Sequence, residues 1–312
     1  MEYLSLGRTG LRVSRLALGT AAFGLANYGI HEPGQPSQLG EGEAIELVRA
    51  AVDKGINFFD TARGYGESEA VLGKALNDCP STITIIATKV GIPLSKSSAA
   101  LKQSVLVSIE TSLKALRRDV LDVVQIHNAT KAILDKGDIL NVLERAREAG
   151  KLKFIGASVY GEPAALAAIR CQRIDVLQIA LNLLDQRMLA KVLPEAKQAN
   201  VGVVARSAFL KGALTKRAKL LPDALHSLAE ASDQMRKGLG ATWETLPEAA
   251  LRFCLSVPEV SSVLVGLRSL PELATAIASY HAGALNSEMI RSAALLKLND
   301  EQLLDPSYWP QV

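Results

Sequence analysis

Residues 55–74 read GINFFDTARGYGESEAVLGK, a short apolar run followed by a polar turn rich in glycine. The first part, Ile56–Asp60, is dominated by apolar residues and ends in a carboxylate. Short apolar runs of this kind are typical of strands that are buried on both faces of a parallel sheet. The stretch therefore predicts a buried parallel strand with Asp60 at its C-terminal end.

Similar runs recur along the chain and alternate with amphipathic segments of helix length. They are Leu16–Gly19, Ile83–Thr88, Leu121–His127, Leu152–Ala157, Val176–Leu181, Val201–Ala205 and Ser262–Val265. Together with Ile56–Asp60 they form eight strand–helix units without a break in composition, which predicts an α/β protein with a closed (β/α)8 barrel. A doubly wound open sheet is the alternative. We expect one domain over residues 1–312, because such barrels often exceed about 250 residues.

Four segments lie outside the repeating pattern. Met1–Val13 predicts an N-terminal β-hairpin that turns near Gly7–Gly10 and closes the floor of the barrel. Leu220–Leu239 and Ser287–Leu298 predict two additional helices. Ala26–Gly42 is rich in glycine and proline, which indicates a long loop after the first barrel strand.

The charge balance and the aromatic content exclude several classes of partner. Thirty-five basic residues face thirty-two acidic ones, and aromatic residues make up only 4% of the chain. A balanced charge offers no electrostatic footprint for nucleic acid, and so few aromatics offer no platform for stacking bases. No apolar run reaches the roughly 18 residues of a membrane span. We therefore expect neither a nucleic-acid partner nor a membrane.

The cysteines indicate a reducing compartment. Cys79, Cys171 and Cys254 are odd in number, far apart and without C-x-x-C spacing, which argues against a disulfide framework and a structural zinc site. The N-terminus has no basic segment followed by an apolar one, as a secretory signal would. We expect a cytoplasmic location.

Polar residues stand where the predicted strands end. Asp60 ends the second strand, Lys89 follows the third and His127 ends the fourth. Further residues of this kind are Ser158, Gln178, Arg206 and Ser207. The C-terminal ends of barrel strands share one rim, which is where barrel enzymes place their active sites. We therefore expect these side chains to lie close together.

This set of groups suits proton transfer at a carbonyl. The phenol of Tyr65 has a reference pKa of about 10, and a nearby Lys89 ammonium would lower that pKa. Asp60 would keep the lysine charged, and a neutral His127 would hold the substrate oxygen. A carbonyl that receives hydride develops negative charge on its oxygen, which this cluster would stabilise and protonate. The rim offers too few ligands for zinc, so we expect no metal.

Residues 55–74 resemble the signature of the aldo-keto reductases, and Leu6–Ser14 and Leu18–Thr20 are also similar to that family. The resemblance covers essentially the whole chain. It implies a (β/α)8 barrel that binds NADP(H), or less often NAD(H), at the C-terminal ends of the strands. It also implies a catalytic tetrad with Tyr65 as general acid/base: Asp60, Tyr65, Lys89 and His127.

The resemblance also implies the residues that contact the cofactor. Ser158 and Gln178 match the residues that hold the nicotinamide carboxamide, although Val159 replaces the asparagine that usually follows the serine. Arg206 takes the place of the aromatic residue that stacks on the nicotinamide, and a planar guanidinium can also stack on a ring. We hypothesise that its charge disfavours the oxidised cofactor. The other predicted contacts are Gly19, Thr20, Asp60, Ser207, Phe209, Gly212, Gly266, Arg268 and Glu272.

The choice of cofactor depends on the segment after the eighth strand. Gly266–Ser269 precedes a helix, and amide groups at a helix start suit an anionic group. Arg268 resembles the basic residue that meets the adenosine 2′-phosphate, which favours NADP(H). Glu272 would repel that phosphate, so NAD(H) stays possible.

The sequence therefore predicts an enzyme that reduces aldehydes or ketones to alcohols. A sugar or polyol dehydrogenase that works in the oxidative direction is one alternative, and a cofactor-binding regulatory subunit with slow turnover is another. The partner is a small carbonyl or alcohol, whose identity the sequence does not give. Tyr28, Tyr65, His127 and Trp309 are the candidate substrate contacts, and the oligomeric state is not predicted.

Overall fold

Eight parallel strands close into a barrel in the computed structural model, which describes residues 1–26, 28–30, 38–79, 83–92 and 97–310. The strands are β3 Leu16–Gly19, β4 Phe58–Asp60, β5 Ile85–Val90, β6 Leu121–Ile126, β7 Leu152–Ser158, β8 Val176–Ala180, β9 Gly202–Arg206 and β10 Ser262–Gly266. Each pairs with the next in chain order, and β10 pairs with β3 to close the ring. The predicted barrel is confirmed, and the open sheet is excluded.

The N-terminal hairpin closes the floor, as predicted. Its strands, β1 Tyr3–Ser5 and β2 Arg12–Ser14, pair antiparallel. Leu6 and Val13 are fully buried and belong to the cluster of apolar side chains inside the lower barrel. Burying a side chain the size of leucine stabilises a fold by roughly 1.5–3 kcal/mol, so the hairpin contributes to the core.

The helices surround the barrel. They are α1 Glu41–Asp53, α2 Ser68–Ala75, α3 Ser98–Leu116, α4 Lys131–Lys136, α5 Asp138–Glu148, α6 Glu162–Arg170, α7 Val192–Gln198, α8 His226–Gly238, α9 Leu246–Leu255, α10 Leu270–His281, α11 Ser287–Leu296 and α12 Glu301–Leu304. The two additional helices that the sequence predicts are α8 and α11. The first is shorter than predicted, because residues 216–220 and 223–225 form 3-10 turns on either side of Pro222.

Two short helices were not predicted. In α4 the Thr130 side chain accepts a hydrogen bond from the amide of Ile133, and in α12 Asp300 caps the amide of Gln302. Elements of four to six residues are too short for a helical hydrophobic pattern to be recognised.

The loop predicted over Ala26–Gly42 is described only in part, since residues 27 and 31–37 lie outside the described ranges. In the parts of the chain that are described, no helix combines the length and the apolar character needed to span a membrane. Cys79, Cys171 and Cys254 are free thiols.

Candidate active site

A buried ion pair lies at the C-terminal rim of the barrel. Asp60 ends β4, and its carboxylate oxygen Oδ1 accepts a hydrogen bond from Nζ of Lys89. The ammonium also donates to the carbonyl oxygen of Thr61 at 3.0 Å. Lys89 lies inside β5 rather than after it, so its side chain is held within the barrel, where only 1% of it is exposed.

Two glutamine amides bind the other oxygen of the same carboxylate. Nε2 of Gln178 donates to Oδ2 of Asp60 at 2.8 Å, and Nε2 of Gln125 donates to it at 3.0 Å. Hydrogen bonds to a charged group are stronger than those between neutral groups, so three donors fix the position of this carboxylate. Gln178 was predicted at the rim, whereas Gln125 was missed. Its only signal was a glutamine in the otherwise apolar end of β6.

Tyr65 stands on the loop between β4 and α2, and that loop packs tightly. The amide of Arg63 donates to the carbonyl of Lys89 at 3.3 Å, and the amide of Tyr65 donates to Ala62 at 3.0 Å. A Cβ at Gly24 would lie 1.8 Å from the carbonyl oxygen of Tyr65. Only glycine therefore allows the backbone at residue 24 to approach the Tyr65 loop so closely.

A buried carboxylate ties the same loop to its neighbours. Glu69 accepts hydrogen bonds from Arg63 at 2.7 Å, from Thr88 at 2.5 Å and from Ser112 at 2.7 Å. These donors come from the Tyr65 loop, β5 and α3, so Glu69 fixes the loop relative to the strand that carries Lys89. Neither Glu69 nor Arg63 was predicted as part of the site.

The rings of Tyr65 and His127 meet edge to face, with centroids 5.8 Å apart and planes at 84°. Nζ of Lys89 lies 5.0 Å from the centroid of the Tyr65 ring, within the range of a cation–π contact. The structure thus brings together all four residues of the predicted tetrad.

The pKa of Tyr65 corrects one expectation. Burial and then the Asp60 carboxylate raise this pKa above its ordinary value of 10.0, and Arg206 is the cation that opposes them. The lowering that was expected from Lys89 is wrong, because the Asp60 carboxylate pairs with the ammonium and the phenol is desolvated. Tyr65 is therefore a protonated phenol at neutral pH.

The imidazole of His127 is neutral. Burial, followed by the charge of Lys89, lowers its pKa from 6.5 to about 4. A neutral imidazole can donate one hydrogen bond without bringing a second positive charge to the site. This agrees with the expected neutral donor beside Tyr65.

Arg206 ends β9 and stacks on Tyr160, with Cζ 3.9 Å from the ring centroid. Its guanidinium donates to the carbonyl of Val159 at 3.0 Å and to the Ser207 hydroxyl at 3.2 Å. Among the described residues, no carboxylate forms a salt bridge with this cation. Tyr160 was missed by the sequence, which gave no signal for the pairing.

The loop after β9 has an unusual backbone. Ser207, Leu210 and Lys211 have φ values of +64°, +44° and +52°, and Gly212 has +108°. Left-handed conformations at non-glycine residues carry strain and tend to cluster at ligand sites. Phe209, another predicted cofactor contact, lies within this loop and is half-buried.

Residues 28–30 connect this loop with the segment after β10. The amide of Ile30 donates to the carbonyl of Lys211 at 3.0 Å, and the Arg268 guanidinium donates to the carbonyl of Tyr28. Burial raises the pKa of Tyr28, and the neighbouring phenol of Tyr65 adds to this shift. We call residues 28–30 the bridge segment.

Glu272 caps the segment after β10. Its Oε2 accepts from the amide of Arg268 at 2.7 Å, and its Oε1 lies 3.7 Å from the guanidinium of Arg217. Burial and then the Arg217 charge lower the pKa of Arg268, so two guanidiniums lie near one carboxylate. Gly266 ends β10 at this rim. Arg217 was not predicted, because its distance from Arg268 in sequence hides the contact.

The remaining predicted site residues lie on the barrel strands, directly after them or in the C-terminal tail. Gly19 pairs with Asp60 and Gly266 in the barrel, and Ser158 pairs with Gln178. The hydroxyl of Thr20 is used within the fold, since it binds the carbonyl of Asp60 at 3.0 Å and Ser68 at 2.6 Å. Trp309 donates to the carbonyl of Leu303 at 3.1 Å and lies beside Lys211, so it joins the tail to the loop after β9. Over the described ranges, no cluster of metal ligands is found.

Both the sequence and the fold of this chain are similar to those of known proteins. A sequence model described as the Aldo/keto reductase family matches residues 15–295. L-galactose dehydrogenase of Arabidopsis thaliana is 29% identical over 295 residues, which is 89% of this chain and 88% of that protein. The NADH-specific methylglyoxal reductase of Escherichia coli (strain K12) is 26% identical over 232 residues, or 69% of each chain.

The fold resembles a solved aldo-keto reductase from Bacillus halodurans in its holo form. The TM-score is 0.78 at 24% identity, and the match covers 98% of this chain and all of that one. At this identity the likeness concerns the fold. It agrees with the closed barrel and its hairpin.

Proposed function

The chain belongs to the aldo/keto reductase family and is an oxidoreductase, and we propose that it reduces aldehydes or ketones to alcohols with a nicotinamide cofactor. The observation that carries the proposal is the convergence of a protonated phenol, a buried ammonium, a neutral imidazole and an ionised carboxylate at one rim. The proposed tetrad is Asp60, Tyr65, Lys89 and His127.

The roles follow from the contacts. A bound nicotinamide supplies the hydride. The substrate carbonyl oxygen would lie between the Tyr65 hydroxyl and His127, where the phenol donates a proton to the oxygen as negative charge develops on it. Lys89 stabilises that charge, and Asp60 keeps the ammonium in place. With a pKa above 10.0 the phenol is protonated at neutral pH, which is the form that reduction of a carbonyl requires.

The residues at the rim fit a dinucleotide. Ser158 and Gln178 are buried polar groups at the Tyr65 end. The strained loop after β9 suits phosphate groups, and so do the neighbouring guanidiniums of Arg217 and Arg268. The Arg206 guanidinium has no carboxylate partner among the described residues and can face the pyridine ring.

Turnover on a panel of aldehydes, ketones and sugars tests the proposed function. Absorbance of the reduced nicotinamide is followed with NADPH and with NADH. We expect reduction of at least one carbonyl class, and faster reduction than oxidation of the matching alcohol at pH 7. Oxidation of sugars that is faster than reduction of every carbonyl would favour the dehydrogenase alternative instead.

A regulatory subunit with a retained cofactor is the second candidate. The bridge segment supports it, since the contacts of Tyr28 and Ile30 join the two loops proposed to hold the cofactor. Cofactor that stays with the protein through gel filtration, combined with no turnover on the panel, would favour this candidate over the enzyme.

We propose NADP(H) as the preferred cofactor, with Glu272 limiting the preference. Its carboxylate already binds the amide of Arg268 and lies near Arg217, where a 2′-phosphate would compete with it. Repulsion between unit charges a few ångström apart is worth about 1 kcal/mol in water and more at a partly buried site, and about 1.4 kcal/mol corresponds to tenfold. Glu272→Gln should therefore raise the ratio of kcat/KM for NADPH over NADH by about tenfold.

The matched control is Glu248→Gln, which removes a carboxylate from a surface pair with Arg252 on α9. It should leave the cofactor ratio unchanged. A ratio that falls or stays constant in Glu272→Gln would mean that the carboxylate does not face the adenosine end.

Arg206 is proposed to bias the redox form of the bound cofactor. Its charge lies at the rim and acts on Tyr65 and His127, so an oxidised, positively charged pyridine ring would be repelled. Arg206→Tyr should lower the ratio of the dissociation constants of the oxidised and reduced cofactors about fivefold, measured by fluorescence titration, because at about 4 Å a repulsion between unit charges that is screened by water is worth about 1 kcal/mol. Arg206→Lys, which keeps the charge, should retain the parental ratio; an unchanged ratio in Arg206→Tyr would refute the bias.

A further inference from the structure

Gln125 lies on β6 inside the barrel, and one of its two neighbours in the strand register is a glycine that leaves space for its side chain. In the strand register it stands between Lys89 on β5 and Gly156 on β7. A Cβ at position 156 would lie 2.7 Å from Cγ of Gln125, so a side chain on β7 would displace the glutamine. Only 1% of Gln125 is exposed.

The nitrogen and the oxygen of the Gln125 side-chain amide differ in their hydrogen bonding. Nε2 donates to Asp60, whereas Oε1 is buried and has no hydrogen-bond partner among the residues that the structure describes. Buried polar atoms are nearly always paired, and an unpaired one destabilises the fold. Packing alone would favour an apolar residue of the same length here, which indicates that the amide donor is the part of the glutamine that the site uses.

We propose that Gln125 is a positioning residue, which together with Gln178 holds Oδ2 of Asp60 so that Oδ1 keeps the Lys89 ammonium beneath Tyr65. The inference rests on the proposed function, because it acts through Asp60 and Lys89 on the proton transfer. Gln178 binds Oδ2 from β8 and Gln125 from β6, so the carboxylate is held from two different strands.

Gln125→Met removes the donor and the unpaired oxygen while keeping a similar length. We expect kcat to fall about tenfold, with the KM for the carbonyl and the Kd for the cofactor changed less than twofold. The free energy of unfolding should change little, because the loss of the bond to the Asp60 carboxylate is offset by the loss of an unsatisfied buried atom. Parental kcat in this variant would overturn the proposal.

The matched control is Gln186→Met. Gln186 is also buried, but its amide donates to the carbonyls of Leu183 at 2.8 Å and Ala293 at 3.0 Å. This variant should lose stability without losing kcat. The two methionine variants therefore differ in their expected effects on stability and on turnover.

Gln125→Glu tests the contact with Asp60 without any need for turnover. The introduced carboxyl would face Asp60, with Lys89, Tyr65, His127 and Arg206 as the other ionisable groups nearby. Burial and the Asp60 charge should raise its folded-state pKa above the unfolded value of about 4.3. The contribution of the protonated form is complete below that value and is lost as the pH rises through the folded pKa.

We expect the stability of Gln125→Glu, relative to the parent, to fall between pH 5 and 8 in denaturant titrations. Gln125→Met should show no such trend. The lowered pKa of His127 is common to the variant and the parent, so its contribution cancels in the stability difference. In Gln125→Glu, kcat should be greatest at the acidic end, where the introduced carboxyl still donates to Asp60.

A flat stability difference would show that the Gln125 side chain does not meet the Asp60 charge, and it would overturn the proposal. A parent without turnover on the carbonyl panel would instead refute the proposed function. The stability trend would then still decide whether Gln125 holds Asp60.

Discussion

Tyr65→Phe should lower the turnover number for carbonyl reduction at least about 100-fold while the Kd for the nicotinamide cofactor changes less than twofold. The substitution removes only the hydroxyl, so the contact of the ring with His127 and its position over Lys89 are retained. General acid catalysis by a positioned group typically contributes about 10²–10⁴-fold to a rate. Steady-state kinetics and cofactor titration separate the two effects.

The pH dependence of the parent chain supplies a second measurement of the same role. Because the pKa of Tyr65 is raised above 10.0, the phenol stays protonated as the pH rises from 6 to 9, and kcat for reduction should be nearly constant there. Oxidation of the alcohol needs the phenolate, so its rate should rise with pH over the same range.

The matched control is Tyr280→Phe. The hydroxyl of Tyr280 accepts a hydrogen bond from the amide of Glu2, next to the N-terminal hairpin and far from the rim, so its loss should leave kcat unchanged. If Tyr65→Phe reduces aldehydes at close to the parental rate, Tyr65 is not the proton donor.

The barrel could be predicted because its strands are apolar along their whole length. A parallel strand covered by helices on one face and by the barrel interior on the other is buried throughout, as the unbroken burial of β5 and β6 shows. The position of Asp60, Lys89 and His127 at one rim follows from the same topology. A sequence pattern therefore gives both the fold and the neighbourhood of the site.

The charges within the site could not be predicted in the same way. The sequence places Lys89 near Tyr65, but it does not show that two glutamine donors and the ammonium converge on Asp60. Nor does it show that Tyr65 is half-buried beside the Asp60–Lys89 pair. The sign of the pKa shift depends on these three-dimensional facts, which is why the expected lowering was wrong.

Contacts between loops that are far apart in sequence could not be predicted either. Arg217 and Glu272 lie on the loop after β9 and on α10, and they meet because β9 and β10 are neighbours in the barrel. From the sequence alone, Arg217 and Glu272 are only charged residues expected at the surface. The same reason explains why the stacking of Arg206 on Tyr160 was missed.

Lys89→Met should lower kcat about 10²–10³-fold and should also destabilise the fold. The variant leaves the Asp60 carboxylate buried with only its two amide donors, and removing one partner of a buried ion pair typically costs about 3–5 kcal/mol. We expect a loss near the lower end of that range, since Gln125 and Gln178 still bind Oδ2. Unfolding in urea and steady-state kinetics measure the two effects.

The double variant Asp60→Asn/Lys89→Met separates stability from catalysis. Neutralising the carboxylate removes the uncompensated buried charge, so the double variant should recover at least about 1 kcal/mol of the stability lost in Lys89→Met. Its kcat should stay as low as that of the single variant, because the ammonium beneath the Tyr65 ring is still absent. If turnover returns together with stability, Lys89 serves the fold and another group stabilises the developing charge on the substrate oxygen.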